Sequence, residues 1–488
     1  MEYRIEKRSS MRIPVMVSTL CLFLVSGCGG GGGGGSSEPA TTPTPVSSTP
    51  TTVTSRGILT GFGSIFVNGV EFETDSAEIE SDDNVASESD LRIGMVITLE
   101  GTVDEGGSTG TATSVEYNDK VEGPITSITD NVLIVLGQSI VVDDGTVFDD
   151  GIQMLSDLTA GDVIEVSGFL NANGEIVATY VELNDPGGEF ELVGTVTNLD
   201  TDTSTFDIQN QTIEFSVAVF EDFDSALLAD GDQVEVKGST FDSNGALVAT
   251  KVELEEDDLG ESDEVEFEGL VTRFQSETDF DVSGVTVTTS AATTYEGGSA
   301  ADLTLNIKVE VEGQIGADGV LLAEKVKIRK LEDTRVEGVV DSVDTNAGQV
   351  VVLDITFMVT GSTQLEDDSD LNVIFFGLDD IVVGNYLEIR GKLETDATVT
   401  AIRLERDDLD GETSVRGAVQ SNNGSVLVIA GVTIQTTSGT EYLDAAGLAM
   451  NQADFFTSAV IDVEVKAKGE ETNTSEITAT ELELEDDN

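Results

Sequence analysis

The sequence predicts an all-β protein, a tandem array of about six small five-stranded OB-like β-barrels, each with a short helix before its fourth strand. Three observations carry this. An alternating strand closed by glycine recurs along the chain, the closing positions 101, 168, 238, 313, 391 and 467 lie 67, 70, 75, 78 and 76 residues apart, and turn residues separate short β-branched runs within each copy. A period near 70 residues is one small domain, not a short solenoid turn.

The order within a copy is read from residues 120 to 184. A first strand around Val121-Glu122-Gly123-Pro124-Ile125 precedes a second at Val132–Leu136, a Gly137-Gln138 turn and a third at Ile140–Val142. Phe148 to Leu158 supplies the short helix, Gly161-Asp162 turns into the fourth strand Val163-Ile164-Glu165-Val166-Ser167-Gly168, and an Asn173-Gly174 hairpin leads to the fifth, Ile176–Leu183. Five strands with a helix before the fourth is the order of the OB barrel. In Val234-Glu235-Val236-Lys237 successive side chains point to opposite faces, so valines line the interior and charges meet water. The closing glycine is expected to allow a sharp bend or positive φ at a barrel corner. The sixth copy, Val463-Glu464-Val465-Lys466-Ala467, reads with alanine there. Copy five carries an added Val373-Ile374-Phe375-Phe376 segment, and copy six has Phe455-Phe456 in the corresponding region.

The copies divide the chain into repeats at 56–118, 119–186, 187–258, 262–332, 333–410 and 412–488. Ahead of them, 28–55 is rich in Gly, Ser, Thr and Pro with almost no large apolar side chain, and reads as a flexible tether. Residues 1–27 read as an export signal. Arg4, Lys7, Arg8 and Arg12 precede an apolar run from Ile13 to Val25, whose thirteen residues fall short of the roughly 20 that cross a bilayer.

The run ends in Val25-Ser26-Gly27-Cys28, which resembles the processing site of bacterial lipoproteins. That resemblance implies cleavage between Gly27 and Cys28, acylation of Cys28, and anchoring in the outer membrane on its periplasmic or cell-surface face, since Gly29 stands where aspartate would mark inner-membrane retention. Together with the spacer, the opening Gly61-Phe62-Gly63-Ser64-Ile65-Phe66-Val67-Asn68-Gly69-Val70 and the serial V-E-V-x-G and A-x-x-V-E-L pieces, it resembles an uncharacterised family of bacterial lipoproteins with tandem small OB-like domains of unknown function. The resemblance implies fold and address, but no activity.

Composition excludes much chemistry. The chain has no histidine, which removes the commonest general base, Ser-His and Cys-His nucleophiles, and most zinc, haem and copper sites. Cys21 leaves with the signal, so Cys28 stands alone and no intramolecular disulfide forms. A periplasmic enzyme using a carboxylate pair is the one catalytic reading left open. The expectation is a non-catalytic, lipid-anchored cell-envelope protein acting as a stalk, scaffold or interaction surface with a protein or polysaccharide partner.

The formal charge is −71, and loss of residues 1–27 leaves 19 Lys+Arg against 92 Asp+Glu. Nucleic acid and anionic headgroups are repelled by such a surface. The carboxylates suggest Ca²⁺ instead, a hard cation that takes oxygen ligands. No EF-hand loop is present: Asp200-Thr201-Asp202-Thr203-Ser204 lacks the glycine, and Asp407-Asp408-Leu409-Asp410-Gly411 lacks the spacing. Candidate ligands are the carboxylates that crowd the seams between copies, Glu255, Glu256, Asp257, Asp258, Asp407, Asp408 and Asp410, where Ca²⁺ would stiffen a string of barrels or an adhesin. A sugar-binding reading rests on Tyr180, Tyr295, Tyr386 and Tyr442, although Tyr295 and Tyr442 occupy the places of Phe148 and Phe220 and read as core.

Overall fold

Each repeat closes its hydrogen bonds into a ring. In repeat 2 the opening strand Val121–Thr129 pairs antiparallel with Val132–Val135, which pairs with Gln138–Val141. That third strand runs parallel to the fifth, Ile176–Asn184, through Ile140 opposite Ile176. The fifth pairs with the fourth, Val163–Leu170, and the fourth returns to the opening strand. The same cycle closes in repeats 1, 3, 4, 5 and 6. The predicted barrel topology is therefore present. The computed structural model describes residues 50–485 apart from 83, 150, 185, 222, 256–258, 260, 261, 263, 318, 330, 331, 396 and 410, so the signal sequence, Gly27, Cys28 and nearly all of the tether lie outside the described residues.

The alternation works as the sequence implies: in repeat 2 Val121, Leu133, Ile140, Val166 and Ile176 are buried together in one core. Closure removes most of the strand edges that an open sheet would present, leaving one side of the first half of the opening strand, residues 121–124 in repeat 2, unpaired within the ring. Three local expectations change. The stretch before the fourth strand makes only a single 3₁₀ turn in repeats 1 to 5, for example Leu155–Asp157 and Ala300–Asp302, and a true α-helix, Gln452–Ser458, forms only in repeat 6. The first strand begins at Thr51, inside the stretch read as tether, because Thr51 to Ser55 complete the ladder against the strand Val96–Val103.

The third change concerns glycine. The closing glycines owe their identity to close approach and not to positive φ. A Cβ would lie 2.4 Å from the Thr111 carbonyl oxygen at Gly101, 2.2 Å from that of Val177 at Gly168, and 2.2 Å from that of Leu322 at Gly313. Each sits where the fourth strand bulges against the fifth. By this criterion the closing residue of repeat 6 is Gly469, 2.2 Å from the Thr478 oxygen, and not Ala467.

The repeats are not a string of separate barrels. Repeats 2 and 3 share a sheet through antiparallel opening strands, with Val121 opposite Leu192, and repeats 5 and 6 do the same, with Val336 opposite Val415. Repeat 1 skips its sequence neighbours: Thr51–Gly61 lies parallel to Glu264–Ser276 of repeat 4, from Val53 opposite Glu264 to Arg56 opposite Phe267. Ile58, Val96, Phe169 and Leu270 then bury a small core among repeats 1, 2 and 4, and Phe62 meets Phe375 edge-on at 5.1 Å between repeats 1 and 5. Residues from Thr49 onward form one compact unit.

Charge joins the pairs as well. Arg403, Arg390, Arg335, Arg416 and Lys466 stand in register across the strands shared by repeats 5 and 6, a basic row in a strongly acidic chain. The row receives the turn around Asp144 of repeat 2. Arg390 donates to the Asp144 carbonyl, the Arg416 guanidinium lies 4.0 Å from the Asp144 carboxylate, and Arg403 donates to the Thr146 carbonyl at 3.4 Å.

Candidate functional site

The outer face shared by repeats 2 and 3 carries an unusual row. Reading across the strands, Glu182 faces Glu165, Glu165 faces Glu122, Glu122 faces Glu191, Glu191 faces Lys237, and Lys237 faces Lys251. Like charges directly opposite one another destabilise a sheet. Four successive glutamates need compensation, and water supplies only part of it, since Glu191 is buried and Glu122, Glu165 and Glu182 are half-buried.

Repeat 1 contributes Asp82, from the hairpin between Glu78–Ser81 and Asn84–Val85, and repeat 2 contributes Asp119, its first residue, ahead of its opening strand. The backbone ties them together: the Asp82 N–H donates to the Tyr117 carbonyl at 3.0 Å, and the Asp119 N–H points to Asp82 Oδ1 at 3.4 Å. The buried Tyr117 hydroxyl donates to Glu165 Oε1 at 2.6 Å. One carboxylate oxygen each from Asp82, Asp119 and Glu191 lies within 4.8 Å of the others, the gathering of three carboxylates found among the described residues. Asp119 is 1% exposed and Glu191 6% exposed, and Asp119 Oδ1 has no hydrogen-bond partner. Glu191 also meets the Lys237 ammonium at 3.0 Å, which Glu235 shares at 2.8 Å.

The electrostatics follow from crowding without water. Burial, then the neighbouring carboxylates of Glu191 and Glu165, pushes Asp119 well above the usual carboxylate range. Burial raises Glu191 to about 8, with Glu235 adding and Lys237 opposing. Burial likewise raises Glu165 to about 8 against the Tyr117 hydrogen bond, and Glu122 to about 7 with Asp82 adding. Ionised carboxylates here need either protons or a positive partner.

Repeat 5 shows how such a row is compensated elsewhere. Glu405, Glu388 and Glu337 hold the same ladder as Glu182, Glu165 and Glu122. Two residues along those strands, repeat 5 has Arg403, Arg390 and Arg335, which pair with Glu405, Glu388 and Glu337. Burial works to raise Glu388, yet Arg390 and Arg335 hold it below its ordinary range. The corresponding places in repeat 2 are Tyr180, Ser167 and Lys120. Sequence reasoning missed Asp82, Asp119 and Glu191. The signal was available in the exchange of two arginines for Tyr180 and Ser167 between otherwise similar copies.

The predicted ligands lie elsewhere. Glu255 is half-buried near Lys120, while Asp407 and Asp408 are exposed, with Asp408 accepting from the Asp370 N–H at 3.3 Å. These three do not converge with the buried trio, and Glu256, Asp257, Asp258 and Asp410 lie outside the described residues. The tyrosines proposed as sugar platforms are packed away: Tyr180, Tyr386 and Tyr442 are buried, and Tyr295 rests half-buried on the repeat 4 core. Tyr180 joins the core of repeat 1 and donates to Glu182 at 2.5 Å.

Residues 122–182, 193–253, 268–327, 337–405 and 416–483 match the model of a family described as Domain of unknown function (DUF5666). The chain belongs to the DUF5666 family. Its five matched segments coincide with repeats 2 to 6, and repeat 1, outside them, closes the same ring of strands. No curated protein matches the chain. Among solved structures, a chain titled "drosophila Unr CSD456" is similar at 15% identity over 43% of the DUF5666 protein and 98% of that chain, with a TM-score of 0.14.

Proposed function

We propose that this DUF5666 protein is a non-catalytic scaffold of the cell envelope, held at the outer membrane by acyl chains on Cys28 and presenting a compact, acid-coated body to a protein partner. The observation that carries the reading is the way the repeats join. Opening strands that would otherwise offer edges are consumed in pairing repeat 1 with 4, 2 with 3 and 5 with 6. Such a body suits presentation of a fixed surface better than threading of a flexible ligand. A charge of −71 disfavours nucleic acid and anionic lipid as partners.

The alternatives fare less well on the same ground. A polysaccharide reader stacks sugars on exposed aromatic rings, and the candidate tyrosines are buried or half-buried. A carboxylate-pair hydrolase needs an acid and a base opening onto a cleft, whereas Asp119 and Glu191 are buried.

The test is mass spectrometry of the mature amino end together with fractionation of cells carrying wild type or Cys28→Ala. The expected result is an acylated Cys28 and a membrane-bound protein that the substitution releases. An unmodified mature terminus, or unchanged fractionation of the variant, overturns the anchored reading. Cross-linking of intact cells is expected to trap a protein partner, and hydrolase activity lost on changing one carboxylate pair would replace the scaffold with an enzyme.

A further inference from the structure

We infer that Asp82, Asp119 and Glu191 form an oxygen-only site for a hard divalent cation of the calcium class, which clamps repeat 1 and repeat 3 across the face of repeat 2. Three carboxylates from three separate segments lie within 4.8 Å of one another. Ca²⁺ takes several such oxygens at about 2.3–2.6 Å, so oxygens this close span one ion. The trio does not stand on clustering alone. Asp119 is 1% exposed, one oxygen of its carboxylate is within 4.8 Å of the other two, and its buried Oδ1 accepts no hydrogen bond. A buried oxygen left without a donor is costly, and a cation at the centre supplies what it lacks.

The comparison between repeats is the second, independent support. Repeat 5 balances its glutamate ladder with Arg335, Arg390 and Arg403, all engaged in ion pairs. Repeat 2 keeps the ladder and has Tyr180 and Ser167 where two of those guanidiniums stand. The ion adds positive charge beside the ladder, where Lys237 already bridges Glu191 at 3.0 Å and Glu235 at 2.8 Å. The site also explains the placement of Asp82. That residue holds a positive φ of 47° at a hairpin tip, a conformation aspartate tolerates, and the turn brings its Oδ1 to 3.4 Å from the Asp119 N–H.

The inference does not depend on membrane anchoring, so the two readings fail separately. The experiment is calorimetric titration of chelator-treated full-length protein with CaCl₂ and, in a parallel arm, MgCl₂, at matched ionic strength, followed by thermal unfolding with and without CaCl₂. The expected result is one saturable Ca²⁺ per chain and a rise in Tm of about 2 °C or more at excess ion. Asp119→Asn is expected to abolish that equivalent, and Asp408→Asn, at an exposed seam, to leave it intact. Should Asp119→Asn lose its β spectrum, Asp82→Asn at the half-exposed hairpin decides the matter by weakening binding at least tenfold in a folded protein. Absence of saturable binding, binding of Mg²⁺ but not Ca²⁺, equal loss in Asp408→Asn, or an unchanged equivalent in Asp82→Asn overturns the site.

Discussion

At the scale of the residue, burial decides the state of a carboxylate. Glu266 sits in the seam between repeats 1 and 4, 8% exposed, accepting from the Ser55 hydroxyl at 3.2 Å. Burial, with repulsion from Glu310 and Glu312 and relief from Lys327, raises it to about 7. A carboxyl raised on folding binds its proton more tightly in the native state, so native protein holds the proton between about pH 4.5 and 7 while unfolded chain has lost it. Stability from this group is therefore greatest below pH 4.5 and falls as pH climbs to about 7, by on the order of 3 kcal/mol at most. Glu266→Gln removes the titration and keeps an acceptor for Ser55. Thermal unfolding at pH 5 and pH 7.5 is expected to show a smaller gap in the variant than in wild type, and an equal gap would mean that Glu266 is ionised in the fold.

At the scale of the element, alternation told nearly everything about the strands and little about what lies between them. Apolar and polar residues in turn place the fourth strand of each copy, as in Ile164-Glu165-Val166, because a two-residue period has one way to bury one face. The stretch before that strand reads as a helix start. Ser87 and Ser299 donate backbone N–H groups to Asp90 and Asp302, at 2.8 and 2.7 Å, a serine answered three residues on by a carboxylate. The chain then runs at once into Leu91 or Leu303, so the signal yields one turn. Repeat 6 has room to continue, and its helix buries Phe455 and Phe456. The glycine bulge was legible by position but not by cause, since its reason is a carbonyl on the next strand. Gly313→Ala is expected to destabilise by about 3 kcal/mol, with Leu322 oxygen 2.2 Å from the new methyl. Gly245→Ala, at φ +88° with open space around it, is expected to cost only about 1–2 kcal/mol. Urea unfolding followed by circular dichroism separates the two, and equal midpoints would remove close approach as the reason for the closing glycine.

At the scale of the whole molecule, the sequence names six barrels without saying which meets which, because the opening strands are near-equivalent in pattern. The choice of repeat 4 as the partner of repeat 1 rests on single groups, such as Glu268 accepting from the Ile58 N–H at 3.1 Å. The same holds for the buried trio, whose members come from three segments that meet where repeat 1 lies against the joined repeats 2 and 3. Folded as one unit, the roughly 440 residues from Thr49 are expected to scatter with a radius of gyration of about 22 Å, and a value approaching twice that would mean strung-out barrels. The basic row of repeats 5 and 6 is the feature to perturb. Arg390 holds the Asp144 carbonyl and the Glu388 carboxylate together, so Arg390→Ala removes one hold on the repeat 2 turn, beside those of Arg403 and Arg416, and leaves Glu388 with Arg335. Amides from Gly145 to Thr146, bonded within the turn to Asp143, are expected to exchange with deuterium at least tenfold faster, while the repeat 2 core around Val166 stays protected. Unchanged exchange in the turn would show that Arg403 and Arg416 seat it without Arg390, since loss of that one guanidinium would then have removed nothing that holds it.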